Sequence, residues 1–236
     1  MLDDSEVRIT RRRFLGYTTG VVTAGLWRLP FDSTRRSCVL LDLKEDCGLS
    51  ESIAGYESAL TSAGAMFTRT DDQWSSPTRC AVLIVPAAQD IPPAAVRAIV
   101  GCLHAGASVI LESGAGFAGD REFRAHRAVL RDSLQVHIAA PVPLWPAHHT
   151  SQRIPYVDYT WPRSATVRDF SRVVPVEGKE AEIIARVDGL PVALTRPSGR
   201  GRLIFLGSPL GPALWAGDAE ARRWLFDCLR TAGGER

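Results

Sequence analysis

Six positions put polar or conformationally free residues directly behind short apolar runs: Asp42, Gln89, Glu112, Ser113, Gly114 and Ser208. Ligands of open parallel α/β sheets meet the carboxyl ends of the strands, so these six, with Lys44, are the candidate lining of a binding pocket. Glu112 and Ser113 admit two roles. A carboxyl beside a hydroxyl offers the acid, base or nucleophile of a hydrolase acting on a carbohydrate or an ester. The same two groups also suit the capping of backbone amides in the helix or loop that follows. Leu111 and Ala115 occupy both glycine positions of a Gly-x-Ser-x-Gly elbow, which argues against Ser113 as the nucleophile of that motif. His148 and His149 are adjacent in a polar loop near Asp158, but no third ligand has metal-site spacing, so no metal is expected. Cys38, Cys47, Cys80, Cys102 and Cys228 form no C-x-x-C pair and read as small buried hydrophobes.

The elements that position these residues alternate. Residues 38–43 and 80–85 are apolar runs suited to strands buried on both faces, and 65–70 is a shorter strand between them. Residues 50–64 carry Ile53, Tyr56 and Leu60 at helical spacing and end on Gly64. Pro92 and Pro93 open a second helix over 94–105, Gly106 closes it, and 107–111 returns as a strand. The order β-α-β-β-α-β predicts an open, mainly parallel sheet with helices on both faces, of flavodoxin-like or similar type. A helix over 120–134, a strand at 136–140 and a long Pro-rich loop over 141–155 follow. Runs at 182–187, 190–195 and 202–206, joined by Asp188-Gly189 and by residues 197–201, predict a C-terminal β-hairpin region, and 219–231 an amphipathic closing helix. Tyr159 and Trp161, in the aromatic phrase 154–162, suit either a sugar- or partner-binding wall or packing over the sheet edge.

The chain has 236 residues and a net charge of +2, with five Arg against three acids in its first thirty. The remainder is therefore neutral, which disfavours nucleic acid as a partner. Thr10-Arg11-Arg12-Arg13-Phe14-Leu15-Gly16 resembles the twin-arginine export consensus, carried by Arg11, Arg12, Phe14 and Leu15. The uncharged run from Phe14 to Trp27 is too short to span a bilayer and suits a signal h-region. The expectation is a leader and linker over 1–36, read by the twin-arginine translocase, ahead of one domain over 37–236. The product would be periplasmic or in the bacterial cell envelope, tethered to the membrane if the leader is not cleaved.

Three phrases in order, VLIVP at 82–86, GASVILESGAGF at 106–117 and GRGRLIFLGSP at 199–209, resemble the class I glutamine amidotransferase-like superfamily, including its ThuA-like branch. The resemblance covers residues 38 to 236 and implies its α/β fold. It also marks what is missing. Gly114 stands where that family places the nucleophilic Cys, and Ser208, Pro209 and Leu210 stand where its His-x-Glu pair follows the last strand. Without nucleophile or base, thioester chemistry on glutamine has no route, so no catalytic residue is carried over. The expected function is a non-catalytic domain that binds a small ligand or a protein partner, without a cofactor; the alternative is a hydrolase of a carbohydrate or ester using Glu112 and Ser113.

Overall fold

The computed structural model describes residues 37–43, 50–71, 74, 80–144, 155–169, 172–177 and 181–234, all within the compact unit Ser33–Arg236. The expected leader at 1–36, Lys44, Cys47, His148 and His149 lie outside the described residues. β1 (Ser37–Asp42), α1 (Ser50–Ser62), β2 (Phe67–Asp71), β3 (Cys80–Ala88), α2 (Pro93–Ala105) and β4 (Ser108–Ser113) come first. A 3-10 turn at Ala115–Phe117 leads into α3 (Asp120–Val129), which runs on as one π turn at Leu130–Leu134. Then come β5 (His137–Ile138), β6 (Val142–Pro143), β7 (Tyr156–Tyr159), β8 (Ala165–Arg168), β9 (Arg172–Val173) and β10 (Val176–Glu177). β11 (Glu182–Val187), β12 (Leu190–Ser198), β13 (Gly201–Leu206), α4 (Gly211–Trp215) and α5 (Ala219–Gly234) complete the described chain.

The architecture is α/β around one nine-stranded mixed sheet in the order β2-β1-β3-β4-β13-β12-β11-β7-β8. Its first five strands pair in parallel, and β12, β11, β7 and β8 continue it antiparallel. Alternate residues of the parallel strands enter two cores. Leu40, Ile84, Ile110 and Ile204 pack under α1, α4 and α5, while Leu41, Leu83, Leu111 and Phe205 pack under α2 and the turn after α3. The near-continuous apolar strands thus reflect burial on both faces.

Local signals stop the elements where the sequence places them. Gly106 ends α2 at φ 97°, and the N–H groups of Gly106 and Ala107 return to Leu103 O and Cys102 O. This is the αL cap that glycine adopts without a Cβ penalty. Asp188 and Gly189, at φ 47° and 86°, make the tight turn of the β11–β12 hairpin.

Three expectations need correction. The region expected as one long loop contains β6, which pairs with β9. The strand expected at 136–140 is only His137–Ile138, outside the main sheet, where it pairs with β10. The aromatic phrase is itself sheet: β7 and β8 form a hairpin at its far edge, with Val157 and Tyr159 turned inward and Tyr156 and Asp158 outward. Two short strands with one polar face each bury too little apolar sequence to stand out from a loop.

Candidate functional site

β4 ends by sending consecutive side chains to opposite faces, as the period of two requires. Glu112 therefore enters the core under α1 and α4, and Ser113 enters the core under α3. Both are almost completely buried, at 0% and 1% exposure.

Glu112 is held by four donors. Ser52 Oγ donates to Oε1 at 2.7 Å; Tyr56 Oη and the backbone N–H groups of Leu210 and Gly211 donate to Oε2 at 2.9, 3.1 and 3.0 Å. Burial pushes its pKa up, and the four hydrogen bonds act against that push. The carboxyl thereby joins α1 to the start of α4 across the end of β4. Close packing accompanies it, since a Cβ on Gly55 or Gly211 would collide with backbone of the facing helix.

On the other face, Ser113 Oγ lies 3.1 Å from His126 Nε2, and the Ala115 N–H donates to the same Oγ at 3.3 Å. His126 is fully buried, and its Nδ1 completes no hydrogen bond among the described residues. Burial lowers its pKa to about 4, against an opposing effect of the Gln89 backbone, so the ring is neutral at neutral pH. Gly114 brings Gln89 into this cluster: its N–H donates to Ala88 O at 2.7 Å, and a Cβ on Gly114 would meet Ala87 O and the Gln89 side chain. Ala87 takes φ 46°, a left-handed conformation uncommon for a non-glycine residue.

The other candidates, Ser208 and Asp42, have partners of their own. Ser208 is buried and donates to Asp169 at 2.5 Å. Asp42 lies at the carboxyl end of β1, where Arg69 Nη2 reaches it at 2.6 Å and Arg69 Nη1 reaches Glu57 at 2.9 Å. A groove of about 420 Å³ opens there, lined by Asp42, Arg69, Thr70 and Asp71. The structure thus brings Gln89, Ser113 and Gly114 together, turns Glu112 to the opposite face, where Leu206 pairs with it and Leu210 donates to it on either side of Ser208, and leaves Asp42 at the end of β1. Sequence reasoning missed His126, because a single His in an Arg-rich helix gives no sign of which strand end it faces. It also missed Asp169, which lies beyond a short edge strand.

Tyr159 stacks on Trp224 with ring centroids 4.3 Å apart, and Trp224 Nε1 donates to Trp161 O at 2.8 Å. Tyr159 is therefore core rather than the exposed wall that was one of its two expectations. Among the described residues no group of three or more His, Cys, Asp or Glu is arranged to hold a metal ion, and no helix is long and apolar enough to cross a membrane.

The His126 environment has a pH consequence. Its folded pKa of about 4 lies below the ordinary 6.5, so between those values the unfolded chain binds a proton that the folded chain refuses. Stability therefore falls as pH drops from about 6.5 to about 4, by roughly 3 kcal/mol in total, and changes no further from this group below that. Glu112, with its raised pKa, acts in the opposite sense. Urea denaturation across this range, wild type against His126→Gln, isolates the histidine because Glu112 is common to both; parallel pH profiles would disprove the assignment.

No family model matches the sequence, and no curated protein matches it. Solved structures share its fold. The β-galactosidase from Bacillus circulans sp. alkalophilus matches with a TM-score of 0.57 at 15% identity, over 80% of this chain and 31% of its own. The cold-adapted β-galactosidase from Rahnella sp. R3 matches with a TM-score of 0.64 at 12% identity, over 86% of this chain and 32% of its own. The chain spans about a third of the length of these enzymes. A cytoplasmic protein from Salmonella typhimurium LT2 matches at 12% identity with a TM-score of 0.62, over 84% of this chain and 99% of its own, so the same fold also makes up an entire chain.

Proposed function

We propose that this chain is a non-catalytic, amidotransferase-like α/β domain that serves a carbohydrate-acting system by binding a saccharide or a protein partner. The observation that carries it is Glu112: the one acid at the strand ends beside Ser113 is fully buried and engaged by four donors, which makes it a structural tie rather than a reagent. The parallel strand order β2-β1-β3-β4-β13 supports a flavodoxin-like arrangement, and Gly114 at the end of β4 supports an amidotransferase-like elbow without its nucleophile. The carbohydrate context rests on the printed names of the matched β-galactosidases.

A carbohydrate or ester hydrolase is the second reading, and two observations favour it: those same neighbours, and the 3.1 Å approach of Ser113 Oγ to His126 Nε2, a nucleophile–base distance. Against it, both groups are buried, no acid among the described residues orients the ring, and glycoside hydrolysis ordinarily needs two accessible carboxylates flanking the bond. One panel separates the readings. The purified chain should not hydrolyse nitrophenyl galactosides or nitrophenyl acyl esters and should release no ammonia from glutamine, while binding oligosaccharides or a co-purifying glycan-processing protein. Ester or galactoside turnover that Ser113→Ala abolishes would replace the first reading with the second.

Export through the twin-arginine route belongs to the same proposal. Replacing Arg11 and Arg12 with Lys should hold the protein in the cytoplasm on cell fractionation, because that route reads the pair as an address. Unchanged export would remove the leader from the reading.

A further inference from the structure

Two cysteines that the sequence scatters are brought together by an irregularity in the sheet. β1 and β3 pair with Ser37 opposite Cys80 and then Cys38 opposite Val82, so β3 carries one extra residue at its start. An extra residue reverses which face the preceding side chain takes. Val82 and Ile84 accordingly face the core under α1 and α5, whereas Cys80, two residues earlier, packs into the opposite core, under α2. Cys102, from the penultimate turn of α2, lies buried in that core. The end of α2 and the start of β3 are neighbours there, since Ala107 N–H donates to Cys102 O and the next residue, Ser108, pairs with Val82, so the two thiols lie close enough to influence each other. Cys38 and Cys228 belong to the other core, across the sheet, and burial pushes the Cys38 thiol up to about 12. Among the described residues, then, Cys80 and Cys102 are the pair that shares one core, and Cys80 is only partly buried, which gives a reagent access.

We propose that Cys80 and Cys102 are a disulfide-forming pair that, when oxidised, ties the start of β3 to α2. The oxidant is a small-molecule or protein disulfide. One thiolate attacks it, releasing the first thiol and leaving a mixed disulfide; the second cysteine attacks that, releasing the second thiol. Two protein thiols are oxidised to one S–S bond and one external disulfide is reduced to two thiols. The bond closes a loop that contains the rest of β3 and most of α2, so it restricts the unfolded chain where the folded chain already holds the two sulfurs together. An oxidising compartment, the one a twin-arginine leader addresses, would favour the closed form.

The test uses the full chain, unmutated. After purification in reductant, it is equilibrated in a glutathione disulfide buffer, alkylated, and digested with trypsin. Cleavage after Arg79, Arg97 and Arg121 releases Cys80 and Cys102 on separate peptides, 80–97 and 98–121. The expected result is that these two peptides are recovered joined and separate on reduction, that the free-thiol count in denaturant falls by two from the five of the reduced chain, and that the oxidised form melts about 5–10 °C higher. Five titratable thiols after oxidation, or a bond that maps to any other pair, would overturn the proposal.

Discussion

Glu112→Ala should be the most damaging single substitution in the described core, lowering the free energy of unfolding by at least about 4 kcal/mol. Truncation leaves the Ser52 and Tyr56 hydroxyls and the Leu210 and Gly211 amides buried without an acceptor, and each stranded donor costs about 1–3 kcal/mol. The cavity adds to that cost, because the Gly55 and Gly211 backbones leave α1 and α4 little room to collapse. Glu112→Gln keeps the shape and, with its carbonyl at the Oε2 position, three of the four donors; its NH₂ faces only Ser52 Oγ, which must turn to accept, so a smaller loss of roughly 1 kcal/mol is expected. Urea denaturation gives both values. A near-neutral Glu112→Ala would mean that the carboxyl is not the tie described here, and would reopen a chemical role for it.

Gly114→Cys, which would put a thiol where the proposed amidotransferase resemblance aligns its nucleophile, should destabilise the chain by roughly 3 kcal/mol or more and confer no glutaminase activity. A Cβ at 114 would overlap the Ala87 carbonyl, which is backbone and already in a strained conformation, as well as the Gln89 side chain. Even in a chain that tolerated the thiol, no His-x-Glu pair follows β13, where Ser208 is instead turned to Asp169. Gly116→Ala is the control, because its Cβ would meet Arg172 O at 3.3 Å and need only a small shift. Soluble yield, denaturation and a glutamine-dependent ammonia assay test the three points together; a stable, active Gly114→Cys chain would show that the elbow is intact and lacks only its nucleophile.

The parallel half of the sheet was legible because its strands are apolar on both faces and its helices are bounded by residues with one conformational use. Pro93 opens α2, Gly106 closes it and Gly189 turns the hairpin for reasons that act over four or five residues. The antiparallel edge was not legible. β7 and β8 alternate one buried with one exposed residue over only four positions each, and their pairing is confirmed by contacts with β11 and α5 rather than by any pattern of their own.

The sequence by itself determined the α/β class and the strand ends at which polar residues collect, since each depends on local periodicity or on residue type at one position. The tertiary structure alone decided what those polar residues do. Glu112 answers donors 56 to 99 positions away in the chain, Ser113 meets His126 because the turn after β4 folds α3 back over it, and Cys80 meets Cys102 because one extra residue in β3 reverses a side chain. Partners so far apart leave no mark in local spacing; only the register of the sheet and the packing of helices on its two faces bring them together.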